Sequence, residues 1–137
     1  MECKKQKANG WRIRLMEELR QRINGKFVTL TFSNESLIEL ERELVSPLKG
    51  YDLENQIAKL AVRRFLERHR KVTGKSVRHW LVTELGQIRT ERIHIHGIIW
   101  TNKTLQEIRE IWKYGNVNER DKDWSIVTGK QIGRAHV

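Results

Sequence analysis

Two histidines one residue apart, in the run Ile93-His94-Ile95-His96-Gly97-Ile98-Ile99-Trp100, are the side chains of this sequence best suited to chemistry. The run is apolar and of strand length. Side chains alternate faces along a strand, so His94 and His96 project together while Ile93 and Ile95 project oppositely. Two imidazoles whose Cα atoms lie about 7 Å apart bring their tips close enough for one divalent metal. Gly97 lets a backbone or a ligand approach. A paired-histidine site that is to act as a Lewis acid toward phosphate also needs an oxygen ligand. Glu84, near the end of the preceding apolar segment, is the candidate, because folding the chain at 86–92 brings it across from the start of the histidine strand. It shares a face with Val82 and Trp80, so strand register decides whether it reaches the metal. Glu91, in the turn, is the alternative. A structural role for the histidines stays open, since buried imidazoles also occur as hydrogen-bonded core residues.

The elements that must position these groups follow from hydrophobic periodicity. Trp11, Leu15, Leu19 and Ile23 draw one stripe along a basic helix that Asn24-Gly25 stops. Residues 27–32 (FVTLTF), rich in β-branched and aromatic side chains, form a first core strand. Thr29 and Thr31 share one face of it and are candidates for contact with a nucleic-acid backbone, although threonine is common in strands for packing alone. A weaker helical pattern (Leu37, Leu40, Leu44) runs up to Ser46-Pro47. A stronger one carries Leu53, Ile57, Leu60, Ala61 and Phe65, with Asp52 placed to cap its start and Gly74 just past its end. Strands over 77–85 and 93–101 are close enough to pair as a hairpin. Thr104-Leu105-Gln106-Glu107 matches a capping box, and Leu105, Ile108, Ile111 and Trp112 give its helix an apolar face before Gly115 ends it. One more short strand is expected near Val117. The order predicts an α+β fold, an antiparallel sheet with helices on one face, related to the split β-α-β arrangement.

Composition narrows the function class. With 137 residues and 38% hydrophobic side chains, the chain is expected to make one domain. Twenty-seven Lys and Arg against 17 Asp and Glu give a net charge of +10, and the sequence pI of 10.1 indicates a polyanionic partner such as nucleic acid. Solvated helix faces account for part of that excess. No apolar run is long enough to cross a bilayer, nothing resembles a secretion signal, and membrane binding is not expected. The single Cys3 offers no disulfide framework. Residues 131–137 (QIGRAHV) read as the in-frame translation of a sequencing adapter and are expected to stand outside the fold, leaving 1–130 as a domain incomplete at its C-terminus.

The histidine pair, separated by one apolar residue and followed by glycine, resembles motif II of the HUH endonucleases, and FVTLTF resembles their motif I. The order of the motifs agrees as well. The basic helix containing Trp11-Arg12 ahead of that strand is similar to the replication-associated proteins of small single-stranded DNA phages, and the resemblance extends over roughly 3–117. It implies a rolling-circle replication initiator in which His94, His96 and Glu84 bind Mg²⁺ or Mn²⁺, and a tyrosine attacks single-stranded DNA at an origin, within the cytoplasm of a bacterial host. Such tyrosines lie on a helix after the histidine strand, commonly with a lysine three or four residues on. Tyr51 precedes the motif and Tyr114 ends a helix without such a lysine, so the nucleophile is expected beyond the adapter junction and the chain itself to be inactive. Two other classes compete: a two-His-one-carboxylate Fe(II) enzyme, and a non-catalytic single-strand binder with structural histidines.

Overall fold

A computed structural model describes residues 4–44, 50–84, 93–120 and 135–136. The helix α1 spans Lys4–Gln21, followed by β1 (Gly25–Thr31), α2 (Asn34–Glu43), α3 (Gly50–Thr73), β2 (Arg78–Glu84), β3 (His94–Trp100), α4 (Leu105–Trp112), β4 (Val117–Arg120) and a two-residue β5 (Ala135–His136). The sheet runs β4-β1-β3-β2-β5 with every neighbouring pair antiparallel. From β1 the chain crosses through α2 and α3 to β2, and β3 then inserts between the two. This is the split β-α-β connection, and it makes the histidine strand central.

One face of the sheet is sealed by α2, α3 and α4. Val28 and Leu30 of β1 and Ile95 and Ile99 of β3 meet Leu40, Phe65, Ile108 and Trp112, all of them buried. Trp112 stands edge-on to Phe65 at 5.7 Å and to Phe32 at 5.2 Å, and its indole N–H donates to the Thr31 carbonyl at 2.8 Å. Arg68 ties α3 to the end of α4, its Nε donating to the Ile111 carbonyl at 2.7 Å and Nη2 to that of Trp112 at 2.8 Å. Such multiple donation to orphan carbonyls satisfies a helix C-terminus.

The other face carries α1, whose Leu15, with Trp11 and Leu19 beside it, packs on Phe27, Trp80, Val82, Ile98 and Trp100. Helices therefore lie on both faces, where one was expected. The α1 stripe was legible in sequence, but not its destination, because a basic amphipathic helix fits either side equally well.

Local signals held with specific exceptions. Thr104 and Glu107 form the expected capping box on α4. That helix stops before Gly115, at Lys113, which takes a left-handed conformation with φ 54°. Gly115 serves a different need: a Cβ there would lie 2.3 Å from the Thr31 carbonyl oxygen. Asp52 sits inside the first turn of α3, since the helix already begins at Gly50; there it complements the helix dipole instead of capping. Because α1 ends at Gln21, Ile23 falls off the stripe and is exposed. Ser46-Pro47, the connection 86–92 and Glu91 lie outside the described residues. Of the segment 131–137, Ala135 and His136 are described, and they pair with Val82 and Leu81 along the outer edge of β2.

Candidate functional site

Register decides what the histidines meet. Across the sheet, Thr31 of β1, His94 of β3 and Glu84 of β2 are Cα partners in one row. The next row holds Asn118 of β4, Thr29, His96 and Val82. Directly paired residues of antiparallel strands point to the same side, so both histidines, Glu84, Thr29, Thr31 and Asn118 occupy one face. It is the face that α1 covers, but α1 packs on the opposite end of it, over Phe27, Trp80, Ile98 and Trp100. The histidine end is left open, with Glu84 and Asn118 exposed and His94, Thr29 and Thr31 half-buried.

Within this face Glu84 reaches diagonally. Its Oε2 lies 3.3 Å from His96 Nε2, the histidine being 6% and the glutamate 48% exposed at the side chain. A carboxylate at that distance favours the protonated imidazole or accepts from its neutral N–H. His96 is thus held from two directions, by the buried strand and by a carboxylate. His94, directly across from Glu84 at the backbone, is nearer solvent. Among the described residues, no three His, Cys, Asp or Glu side chains are gathered closely enough to hold a metal. The contact present is a pair, with His94 adjoining it on the same face. In type, two imidazoles and one carboxylate suit a divalent cation.

Gly97 answers the approach of a backbone, though not at the metal-facing side. A Cβ there would stand 2.0 Å from the Trp80 carbonyl oxygen and 2.9 Å from Leu81 Cα. The glycine thus lets β2 close against β3 beside the histidines, which is what brings Glu84 into line.

Tyr114 stands elsewhere. Its ring packs 5.1 Å from Trp112 and 6.3 Å from Phe32, on the sealed face, and its hydroxyl accepts from Arg68 Nη1 at 3.2 Å. The sheet separates it from His94 and His96. Tyr51 belongs to the first turn of α3, a helix of that same sealed face. Asn118 is the neighbour that the sequence did not reveal; its place became definable only when β4 was seen to pair with β1 in this register.

Among the described residues no helix is long and apolar enough to cross a membrane. Neither a curated protein nor a solved structure matches the chain. The model of one protein family, described as replication-associated protein ORF2, matches residues 25–128, from the start of β1 past the end of β4. By that match over most of its length, the chain belongs to this replication-associated protein family, a family of replication initiators.

Proposed function

We propose that this protein belongs to the nicking machinery of replication initiation: it binds single-stranded DNA at an origin and holds Mg²⁺ or Mn²⁺ through His94, His96 and Glu84. The observation that carries this reading is the shared face of the two histidines, Glu84 and two threonines at the open end of the sheet, with Glu84 and His96 already 3.3 Å apart. A divalent cation bound there would polarise a scissile phosphate. The chain's own residues supply orientation. The central strand fixes both imidazoles, Glu84 steadies the His96 ring, and the Thr29 and Thr31 hydroxyls are near enough to donate to phosphate oxygens of a strand laid across the face.

In the resembling endonucleases a tyrosine hydroxyl attacks the phosphorus, loses its proton and stays joined to the 5′ phosphate, while the departing 3′ oxygen becomes a free hydroxyl. An attacking oxygen must come within about 3–3.5 Å and in line with the leaving oxygen. Tyr114, across the sheet and engaged by Arg68, does not meet that condition, so we assign no nucleophile among the described residues. Incubation with end-labelled single-stranded DNA and Mn²⁺, followed by a denaturing gel, should show no covalent protein–DNA band. A band that disappears in Tyr114→Phe would overturn the assignment.

One observation favours a second reading, a non-catalytic single-strand binder. It is that no three-ligand cluster is assembled among the described residues. The two readings part on metal: the first requires Mn²⁺ binding that depends on the histidines, and the second requires none.

A further inference from the structure

The face that bears the histidines has a second feature at its other end. Between α1 and the ends of β2 and β3 lies a cleft of about 500 Å³, lined by Trp11, Arg14, Arg78, His79, Trp80 and Trp100 among others. That is within the span of small-ligand sites, about 300–1,000 Å³. Three of the five tryptophans of the chain meet in it. Trp11 and Trp80 stand 6.1 Å apart with their planes inclined at 45°, and the Arg14 guanidinium sits 5.5 Å over the Trp11 ring.

The charges around the cleft are unequally engaged. Glu17 is paired with Arg20, and Glu18 with Arg22 and Arg78. Arg14 has no carboxylate partner among the described residues, which leaves a cation beside the exposed flank of an indole. Trp80 and Trp100 are 1% and 6% exposed, and their indole nitrogens have no hydrogen-bond partner among the described residues. Buried donors left without acceptors carry a cost that purely structural packing would select against.

We propose that this cleft receives a nucleobase of the single strand that runs over the histidines, stacked on Trp11, with Arg14 on the adjoining phosphate. The inference rests on the DNA-binding reading above and extends it to a defined subsite. Base stacking on aromatic faces tolerates any base, and arginine adds cation–π and phosphate contacts. Trp100 lies four residues along β3 from His96, about 13 Å at roughly 3.3 Å per residue. This corresponds to on the order of four stacked nucleotides at about 3.4 Å each. A strand following the sheet would therefore place a base in the cleft within about four positions of the phosphate at the histidines.

Fluorescence-polarisation titration of the whole chain with a labelled oligothymidylate, without metal, tests this in wild type, Trp11→Ala, Trp11→Phe and Arg14→Ala. Trp11 is half-buried at the cleft and Arg14 is exposed, and thermal melts verify that each variant is folded. Trp11→Ala should weaken binding about tenfold, Trp11→Phe much less, and Arg14→Ala should also make the affinity less steep in salt. A single abasic residue walked along the oligonucleotide should cost affinity at one position in wild type and nothing further in Trp11→Ala. Wild-type affinity in both Trp11→Ala and Arg14→Ala, or an equal abasic penalty in wild type and Trp11→Ala, would overturn the cleft. Mn²⁺ calorimetry on the same variants keeps the two proposals apart. Trp11→Ala should bind Mn²⁺ as wild type does, whereas loss of DNA affinity at Trp11 in a chain that binds no Mn²⁺ would uphold the cleft and overturn the metal site.

Discussion

The two faces of the sheet use the same three long strands in opposite ways. On the face under α2, α3 and α4, Val28 and Leu30 of β1 and Ile95 and Ile99 of β3 are fully buried, and Phe65, Trp112 and Ile108 fill the space between sheet and helices. On the other face α1 covers half of the surface with an apolar contact and leaves the half bearing His94, Glu84, Thr29 and Thr31 open. Alternation along β3 makes one strand serve both, since Ile95 anchors the core while its neighbours His94 and His96 face the site. The site thereby inherits the rigidity of a packed interior while its own side chains stay available for binding. Substitutions on the sealed face should unfold the protein, and those on the open half should alter binding alone.

Phe65→Ala should give the largest change, lowering the stability measured by urea unfolding by about 3–5 kcal/mol, because it removes a buried ring amid Trp112 and the sheet. A loss below about 1 kcal/mol would mean the sealed face is not the main core. Gly97→Ala should follow, at about 1–3 kcal/mol, since its methyl would press on the Trp80 carbonyl and drive β2 from β3. This variant sits on the boundary between the faces, so it should also weaken whatever Glu84 and His96 hold together. Thr104→Ala, which removes the cap of α4, should cost about 1 kcal/mol. Thr29→Ala on the open half should change stability by less than about 0.5 kcal/mol, and a larger loss would blur the contrast between the faces.

His69 tests the sealed face by pH. It is buried, its Nε2 lies 3.0 Å from Thr101 Oγ1, and burial, with the Lys103 cation adding to it, holds its pKa below the usual 6.5. The unfolded chain therefore takes up a proton that the folded one resists. Stability should be unaffected by this group well above pH 6.5, fall as pH drops through 6.5, and level off once pH passes below the folded value. His69→Gln should abolish that part of the acid slope in urea titrations at successive pH values; an unchanged slope would show that His69 is not the group responsible.

Much of this contrast was readable from residue order, because it depends on alternation and periodicity. The FVTLTF and IHIHGIIW runs became β1 and β3, the capping box became the start of α4, and His94 and His96 share a face. What local patterns do not encode is which strand lies beside which, and at what register. Whether Glu84 faced the histidines was a matter of register, settled by the pairing of Glu84 with His94 and by the close approach at Gly97. Asn118 and the tryptophan cleft escaped for the same reason, as both are assembled from segments distant in sequence. Trp11 read as an ordinary core residue on a helical stripe, and only the seating of α1 at one end of the sheet placed it at a cleft.

The open half of the face is distinguished from the sealed one by its proposed capacity to hold a metal, and isothermal titration with Mn²⁺ measures that directly. Wild type should bind one equivalent, Glu84→Gln should bind more weakly, and His94→Ala/His96→Ala should not bind at all while its urea unfolding curve stays close to that of wild type. Undiminished Mn²⁺ binding by a folded double-histidine variant, or no binding by wild type, would contradict the metal site and leave a sheet that holds DNA without one.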